Sequence, residues 1–210
     1  MDIVADDDHT LVCGDGTVVY DEATETLTLN NATISKKHAG NACVFETNNE
    51  VKNLTIKLIG ENKINPDFYL SCGILAECNL KIQGPNTDTL DINVDSCGIE
   101  TGALTIDGAK VNITTNRASG ITVSRGTLLD KQDRCLAIKN HANLTVRSGQ
   151  EGIYSTDTLT IQNSVVDIVT NTKSAIAGIG GVMIEASKIS AISNGEWISD
   201  DTDQAGNAIY

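Results

Sequence analysis

The chain has 210 residues, of which 40% are hydrophobic but only 3% aromatic, so its core has to be built from aliphatic side chains. Its formal net charge is -13 at pH 7, which excludes a nucleic-acid backbone and an anionic membrane surface as partners. No apolar run approaches the ~20 residues that a membrane helix needs, so we expect no insertion into a membrane.

The N-terminal segment lacks the features of a signal peptide. Met1 is followed at once by Asp2, and three further aspartates occupy positions 6–8. Either the protein is cytoplasmic, or the sequence starts after a signal peptide that was removed on export. Because the repeats described below favour a secreted protein, we expect an extracellular or cell-surface location, with the signal peptide removed.

The first predicted elements are two short strands near the N-terminus. Runs of strand-forming residues at 17–20 and 26–29 flank turn formers at 21–24, which predicts an antiparallel hairpin. A solenoid needs a terminal cap, since its end coil would otherwise offer an open edge. We therefore predict that 1–34 comprises a lead-in arm, a cap hairpin and the first repeat.

An eight-residue phrase recurs four times along the chain. It is LTLNNATI at 27–34, LTIDGAKV at 104–111, LTIQNSVV at 159–166 and VMIEASKI at 182–189. Positions one and three are apolar and share one face of a strand, positions four and five turn the chain, and position eight is apolar again. Such a unit cannot bury its apolar face alone, so it has to stack on its neighbours.

A second phrase, Cys-Gly-Ile or a variant of it, sets the length of one coil. Ile74 and Ile99 are 25 residues apart, and Ile99 and Ile121 are 22 residues apart. These intervals match one turn of a parallel β-helix with three strands per coil, in which the glycine forms a corner where a Cβ would clash or φ is positive. We predict one all-β domain over 1–210, a single-stranded parallel β-helix with coils over 35–193 and a loop plus the start of a further coil over 194–210.

The chain ends in the middle of a repeat. Ala208, Ile209 and Tyr210 repeat the beginning of a coil. This predicts either a piece of a longer protein or a C-terminal coil that a partner covers by end-to-end contact.

The coil spacing lapses twice, and insertions in solenoids form loops that often carry binding sites. One insertion lies between Ile121 and Ile153, and the other, which contains Trp197, follows Ile176. Aspartates cluster at 6–8 and at 200–203, and such carboxylates suit Ca²⁺, although no EF-hand is present and solvated acidic loops are the favoured alternative.

The six cysteines contain no CxxC pair, so the spacing predicts no structural zinc site. Cys72 and Cys97 occupy the same place in consecutive coils, and Cys43 and Cys135 fall near that place. Neighbouring strands lie ~4.8 Å apart, which allows a Cys72–Cys97 disulfide. A ladder of small buried thiols along one corner is the favoured alternative.

The repeats also resemble a known group of proteins. The phrase VVYDEATETLTLNNATI at 18–34 resembles an opening phrase of surface proteins from gut and fibre-degrading bacteria. The CGI and LTI phrases from 72 to 184 resemble the carbohydrate-binding β-helix proteins of the pectate-lyase-like superfamily. The resemblance covers most of the chain and implies a right-handed parallel β-helix that binds polysaccharide, in some members with bound calcium.

Lyase members of that superfamily use calcium-bound carboxylates and a Lys or Arg base that removes the proton α to a uronate carboxyl group. In this chain the resemblance offers Asp130 and Asp133 as carboxylates, with Arg125, Lys131 or Arg134 as the base. These side chains are close in sequence only, and the pattern of the lyases is not matched position by position. Catalysis would require them to converge on one face near 124–134.

We therefore expect a non-catalytic extracellular carbohydrate-binding or adhesion module, with polysaccharide as its partner. Sugar binding favours exposed aromatic rings, so the candidates are Trp197, Tyr154 and Tyr69, joined by the charged side chains of the first insertion (Arg125, Asp130, Asp133 and Arg134). Trp197 comes first because it lies in an insertion, although it would also serve as a plug for the end of the core. The alternatives are a structural spacer of a longer surface protein and a calcium-dependent polysaccharide lyase.

Overall fold

The computed structural model describes residues 10–35, 43–47, 51–66, 72–124 and 135–195. Over these residues the chain is a β-solenoid of about five turns, built from stacked parallel strands without a helix, which confirms the predicted fold class. The described strands are β1 (Thr10–Cys13), β2 (Gly16–Asp21), β3 (Thr26–Asn30), β4 (Thr33–Ile34), β5 (Cys43–Glu46), β6 (Asn53–Ile59), β7 (Glu61–Ile64), β8 (Cys72–Gln83), β9 (Thr89–Val94), β10 (Ile99–Asp107), β11 (Lys110–Thr115), β12 (Ile121–Val123), β13 (Leu136–Lys139), β14 (Asn143–Ser148), β15 (Ile153–Ser155), β16 (Leu159–Gln162), β17 (Val165–Thr170), β18 (Ile176–Gly178), β19 (Val182–Glu185) and β20 (Lys188–Ser193).

Each coil has three strands, so the solenoid has three faces. The first face consists of β5, the first part of β8 and of β10, then β12, β15 and β18. The second face consists of β3, β6, the second part of β8 and of β10, then β13, β16 and β19. The third face consists of β4, β7, β9, β11, β14, β17 and β20. Within each face the neighbouring strands are parallel.

The core lies between the three faces and consists of stacked aliphatic rows. Inward side chains alternate with outward ones, so the strand register stacks each inward residue on its counterpart in the next coil. Full burial of one such side chain is worth roughly 1.5–3 kcal/mol, so a coil is stable only where its neighbours cover it. The second face contributes two such rows, both almost completely buried: Leu80, Leu104, Leu136, Leu159 and Ile82, Ile106, Ile138, Ile161.

The turn that follows each eight-residue phrase depends on a left-handed residue at position five. The backbone φ is positive at Asn31, Gly108, Asn163 and Ala186, the fifth residues of the four copies. Asn and Gly adopt this conformation at low cost, which explains why turn formers occupy the place in the sequence.

One inward position departs from the apolar rule. Asn62 is completely buried in the row that continues with Leu90 and Val111. Its side-chain oxygen accepts a hydrogen bond from the Ala32 amide (2.9 Å), and its amide group donates to three backbone carbonyls, including that of Thr89 (3.2 Å). These bonds compensate the polar group for its removal from water.

The N-terminal strands run antiparallel. β2 pairs with β3 as predicted, and β3 then joins the parallel second face beside β6. The predicted arm is wrong in one respect, because Thr10–Cys13 forms a further strand, β1, antiparallel to β2. That this hairpin caps the core, and that the coils wind to the right, stay predictions.

The last described coil exposes residues that earlier coils bury. Ile184 is 45% exposed, whereas Ile161, its counterpart one coil earlier, is completely buried. The outward residues Met183 and Ile192 of this coil are exposed as well, whereas their counterparts Thr160 and Val169 are half-buried. Residues 196–210 lie outside the described residues, and the predicted end-to-end contact stays a prediction.

Candidate functional site

A shallow groove of about 400 Å³, lined by both polar and apolar atoms, lies on the second face, across three consecutive coils. The outward residues of β6, β8 and β10 form its floor in two rows. One row contains Asn53, Asn79 and Ala103, and the other contains Thr55, Lys81 and Thr105; Cys135 lies at the far end.

The sequence forms this groove through strand alternation and one small residue. In each L-x-I strand the central residue points outward, which brings Thr55, Lys81 and Thr105 into line. Ala103 offers only a methyl group next to the longer Asn79 side chain, so the surface is lower at that point. We call this surface, lined by Asn53, Thr55, Asn79, Lys81, Ala103, Thr105 and Cys135, the second-face groove.

A β-bulge lies at the edge of the second-face groove. The register between β8 and β10 shifts between Thr101 and Ala103, because β8 has one more residue there than β10. The buried Thr101 hydroxyl lies within hydrogen-bond distance of two carbonyl oxygens at the bulge, that of Cys78 (3.1 Å) and that of Ala103 (3.0 Å), and can donate its single proton to either. Bulges redirect side chains and are common beside binding sites.

Lys81 supplies the positive charge of the groove, but the charge is balanced. Its ammonium group lies 3.0 Å from Asp107 Oδ2, and Asp107 Oδ1 accepts a hydrogen bond from Asn140 (2.7 Å). Burial opposes ionisation of Asp107, yet the Asn140 and Lys81 contacts outweigh it and hold the pKa of that carboxyl below its ordinary value. The groove is therefore close to neutral although the chain is strongly acidic.

The groove-lining side chains suit binding better than catalysis. The amides of Asn53 and Asn79 and the hydroxyls of Thr55 and Thr105 can both donate and accept hydrogen bonds. Asn79 already donates to Asn53 (3.1 Å), which fixes both amides. Among the described lining residues, Lys81 and Cys135 are the titratable ones, and the Lys81 ammonium group is held in the ion pair with Asp107.

One predicted site residue lies in the described part of the chain. Tyr154 is half-buried on β15, in the outward row of the first face between Thr122 and Ala177, and does not line the groove. Trp197, Tyr69, Arg125, Asp130, Asp133, Arg134 and both aspartate clusters lie outside the described residues.

A second polar constellation lies at the corner where the first face begins. Cys72, Cys97, Ser119 and Glu151 occupy the same place in consecutive coils, each just before a corner glycine. Each thiol of the first two is 8% exposed, and the pair packs against Leu75 and Ala118. Neither thiol is in a disulfide, so the favoured alternative, a ladder of buried thiols, describes this corner.

The two thiols and one carboxylate form a compact group. Cys72 Sγ, Cys97 Sγ and a carboxylate oxygen of Glu100 all lie within 4.8 Å of one another. A hydrogen bond from the Cys72 thiol lowers the pKa of Cys97, and the Thr122 hydroxyl acts in the same direction, while burial and the Glu100 charge oppose them. We call these three side chains the thiol–carboxylate cluster.

Cys78 and Cys135 lie elsewhere in the structure. The backbone of Cys43 is in register with Cys72, as its sequence position predicted. Cys135 was expected near the same place, which is wrong, because it is exposed on the second face just before β13. Cys78 is buried in the core, and burial raises its pKa to about 11.

The described residues contain no helix that is long and apolar enough to cross a membrane. A comparison with known proteins finds no matching protein family, no matching curated protein and no matching solved structure. The function of the chain therefore has to be inferred from the chemistry of the second-face groove and of the thiol–carboxylate cluster.

Proposed function

We propose that the chain is a non-catalytic, extracellular carbohydrate-binding or adhesion module that holds a polysaccharide along the second-face groove. The observation that carries the proposal is the groove itself, which has a volume of about 400 Å³ and extends across the outward residues of β6, β8 and β10. The Asn53 and Asn79 amides are one strand spacing apart, ~4.8 Å, and the Thr55 and Thr105 hydroxyls are two spacings apart, so an extended chain of polar units can make hydrogen bonds in successive coils.

The charge of the groove restricts the ligand class. Lys81 is paired with Asp107, so the surface presents neutral donors and acceptors to a ligand. Neutral glycans match such a surface, and an acidic glycan would gain only from the 39% exposed ammonium group of Lys81. Trp197, just beyond the described residues, keeps its predicted role as a stacking platform.

The test is a glycan-array screen of the full chain, with and without millimolar calcium, followed by titration of any glycan that binds. Thr105→Val removes one groove hydroxyl while keeping the side-chain shape. Loss of one such hydrogen bond costs about 0.5–1.5 kcal/mol, so we expect Kd to rise roughly 2–10-fold. Thr145→Val is the matched control, because Thr145 is a half-buried outward strand residue on the third face.

The outcomes separate the alternatives. Equal weakening by Thr105→Val and Thr145→Val would reject the groove as the site. Loss of binding with Trp197→Ala but not with Thr105→Val would move the site to the second insertion. No binding to any glycan, in both calcium conditions, would reject the proposal and leave the spacer function, whereas calcium-dependent release of unsaturated uronates would establish a lyase.

A further inference from the structure

The thiol–carboxylate cluster brings together ligand types that short sequence motifs do not reveal. Cys72 and Cys97 come from consecutive coils, 25 residues apart, and Glu100 follows three residues after Cys97. Their ligand atoms nevertheless lie within 4.8 Å of one another. In the described part of the chain, this is the only group of three or more His, Cys, Asp or Glu side chains so close together.

Within the described part of the chain, the Glu100 carboxylate is in no ion pair. The four ion pairs among the described residues involve Asp95, Asp107, Glu151 and Asp167, and Glu100 belongs to none of them. Both thiols are buried, with Leu75 and Ala118 against them, while the Glu100 carboxylate is exposed. A metal ion therefore has a route from solvent past Glu100 to the two sulfurs.

We propose that Cys72, Cys97 and Glu100 form a binding site for a divalent zinc-type cation, with two thiolates and one carboxylate as ligands. Binding releases the two thiol protons to solvent and leaves the carboxylate ionised, so an ion of charge 2+ faces three negative ligands. Three protein ligands leave the fourth tetrahedral position to water.

The geometry and the ligand types both favour this class of ion. Zn–S bonds of about 2.3 Å at a tetrahedral centre separate two sulfurs by about 3.8 Å, so the cluster has to contract by about 1 Å at most. Thiolates select Zn²⁺ over the oxygen-seeking Ca²⁺ and Mg²⁺. The Thr122 hydroxyl lies 3.8 Å from Cys97 Sγ and can donate to the thiolate, as outer groups do in metal sites.

The test uses the full chain, reduced with a phosphine and freed of metal by a chelator. Cd²⁺ serves as the probe, because its thiolate complexes absorb in the ultraviolet, and Zn²⁺ serves as the competitor. We expect one Cd²⁺ per chain, displaced by Zn²⁺ but not by Ca²⁺. Cys72→Ser and Cys97→Ser should each abolish the absorption, and Glu100→Gln should weaken binding about tenfold or more.

Matched controls exclude adventitious binding. Cys135→Ser removes an exposed thiol outside the cluster, and Glu77→Gln removes an exposed carboxylate on β8, so both should bind Cd²⁺ as the wild type does. Absence of thiolate absorption in the reduced wild type, or unchanged binding in Cys97→Ser or in Glu100→Gln, would overturn the proposal.

A second measurement needs no variant and so does not depend on variants that fold. Zn²⁺ should protect Cys72 and Cys97 of the wild type from alkylation, with the modified sites located by mass spectrometry. The exposed Cys135 should stay reactive in the same sample. Equal alkylation of Cys72 and Cys97 with and without Zn²⁺ would also overturn the proposal, and neither result bears on glycan binding.

Discussion

The glycine corner of the first face should be intolerant of a single added carbon. A Cβ on Gly120 would lie 2.7 Å from the carbonyl oxygen of Gly152 in the next coil, 0.7 Å short of the 3.4 Å at which ordinary van der Waals contact begins. It would also overlap a methyl group of Val146. That carbonyl cannot turn away, because it accepts the hydrogen bond from the Ile121 amide (2.9 Å) that joins the two coils.

We therefore expect Gly120→Ala to destabilise the protein towards the upper end of the range for overpacking, which is about 1–3 kcal/mol. In a chain of this size, each kcal/mol corresponds to about 2–4 °C, so a loss of roughly 2–3 kcal/mol lowers Tm by about 4–12 °C. Thermal melts followed by circular dichroism in the β-sheet region measure the shift.

The control is Gly84→Ala, where a Cβ would lie 3.2 Å from Leu58 Cβ and 3.4 Å from the Leu58 carbonyl oxygen. This alanine fits with a small adjustment and restricts the unfolded chain, so Tm should be unchanged or slightly raised. The reasoning is refuted if Gly120→Ala melts at the wild-type temperature, or if both variants lose the same amount.

Three further predictions concern the side chains of Asn62, Glu151 and Cys78. Asn62→Ala leaves buried backbone groups without partners, so the free energy of unfolding in urea should fall by about 1–3 kcal/mol, and a loss near zero would contradict the role assigned to Asn62. Burial opposes ionisation of Glu151, but hydrogen bonds and the Lys173 ammonium group hold its pKa below the ordinary 4.5. The Glu151 carboxylate therefore stabilises the folded protein above pH 4.5, and this stabilisation is lost as the pH falls through the lower pKa of the folded state. The stability difference between wild type and Glu151→Gln should accordingly shrink below pH 4.5 in urea titrations, and a constant difference would argue against the ion pair. Burial raises the pKa of Cys78 to about 11, so native protein should be alkylated at the exposed Cys135 and not at Cys78, and equal labelling of the two by mass spectrometry would disprove this.

The fold was predictable because each coil of a solenoid repeats the same pattern of inward apolar residues in the sequence. Leu104, Ile106 and Val111 are buried as the first, third and eighth residues of their phrase should be. The corner glycines were predicted to serve either where a Cβ would clash or where φ is positive, and at Gly120 the clash is the reason, since Gly120 does not have a positive φ. Strand β1 was not predicted because its residues belong to no repeat.

The candidate sites were harder to predict because outward residues do not follow the apolar pattern. The groove residues Thr55, Lys81 and Thr105 occupy the outward centre of L-x-I strands, so their alignment could be derived from the repeat, but the low point at Ala103 could not. Catalytic sequence motifs consist of residues a few positions apart, whereas residues that are neighbours in this fold are separated by about one coil of sequence. Tyr154 was predicted as a site residue because sugar binding favours exposed aromatic rings, but it lies on a different face from the groove.

The outward rows are where the proposed binding module and a spacer would differ. A spacer needs only the inward rows, so its outward residues would be solvated side chains without special placement. Here the second-face groove and the thiol–carboxylate cluster both lie in the coils between 53 and 122, apart from Cys135 at the end of the groove. In the following coils the same outward row of the second face continues with Ala137, Thr160 and Met183. The proposed binding module would account for the placement of both features in one part of a repetitive scaffold, and the glycan screen decides between that module and a spacer.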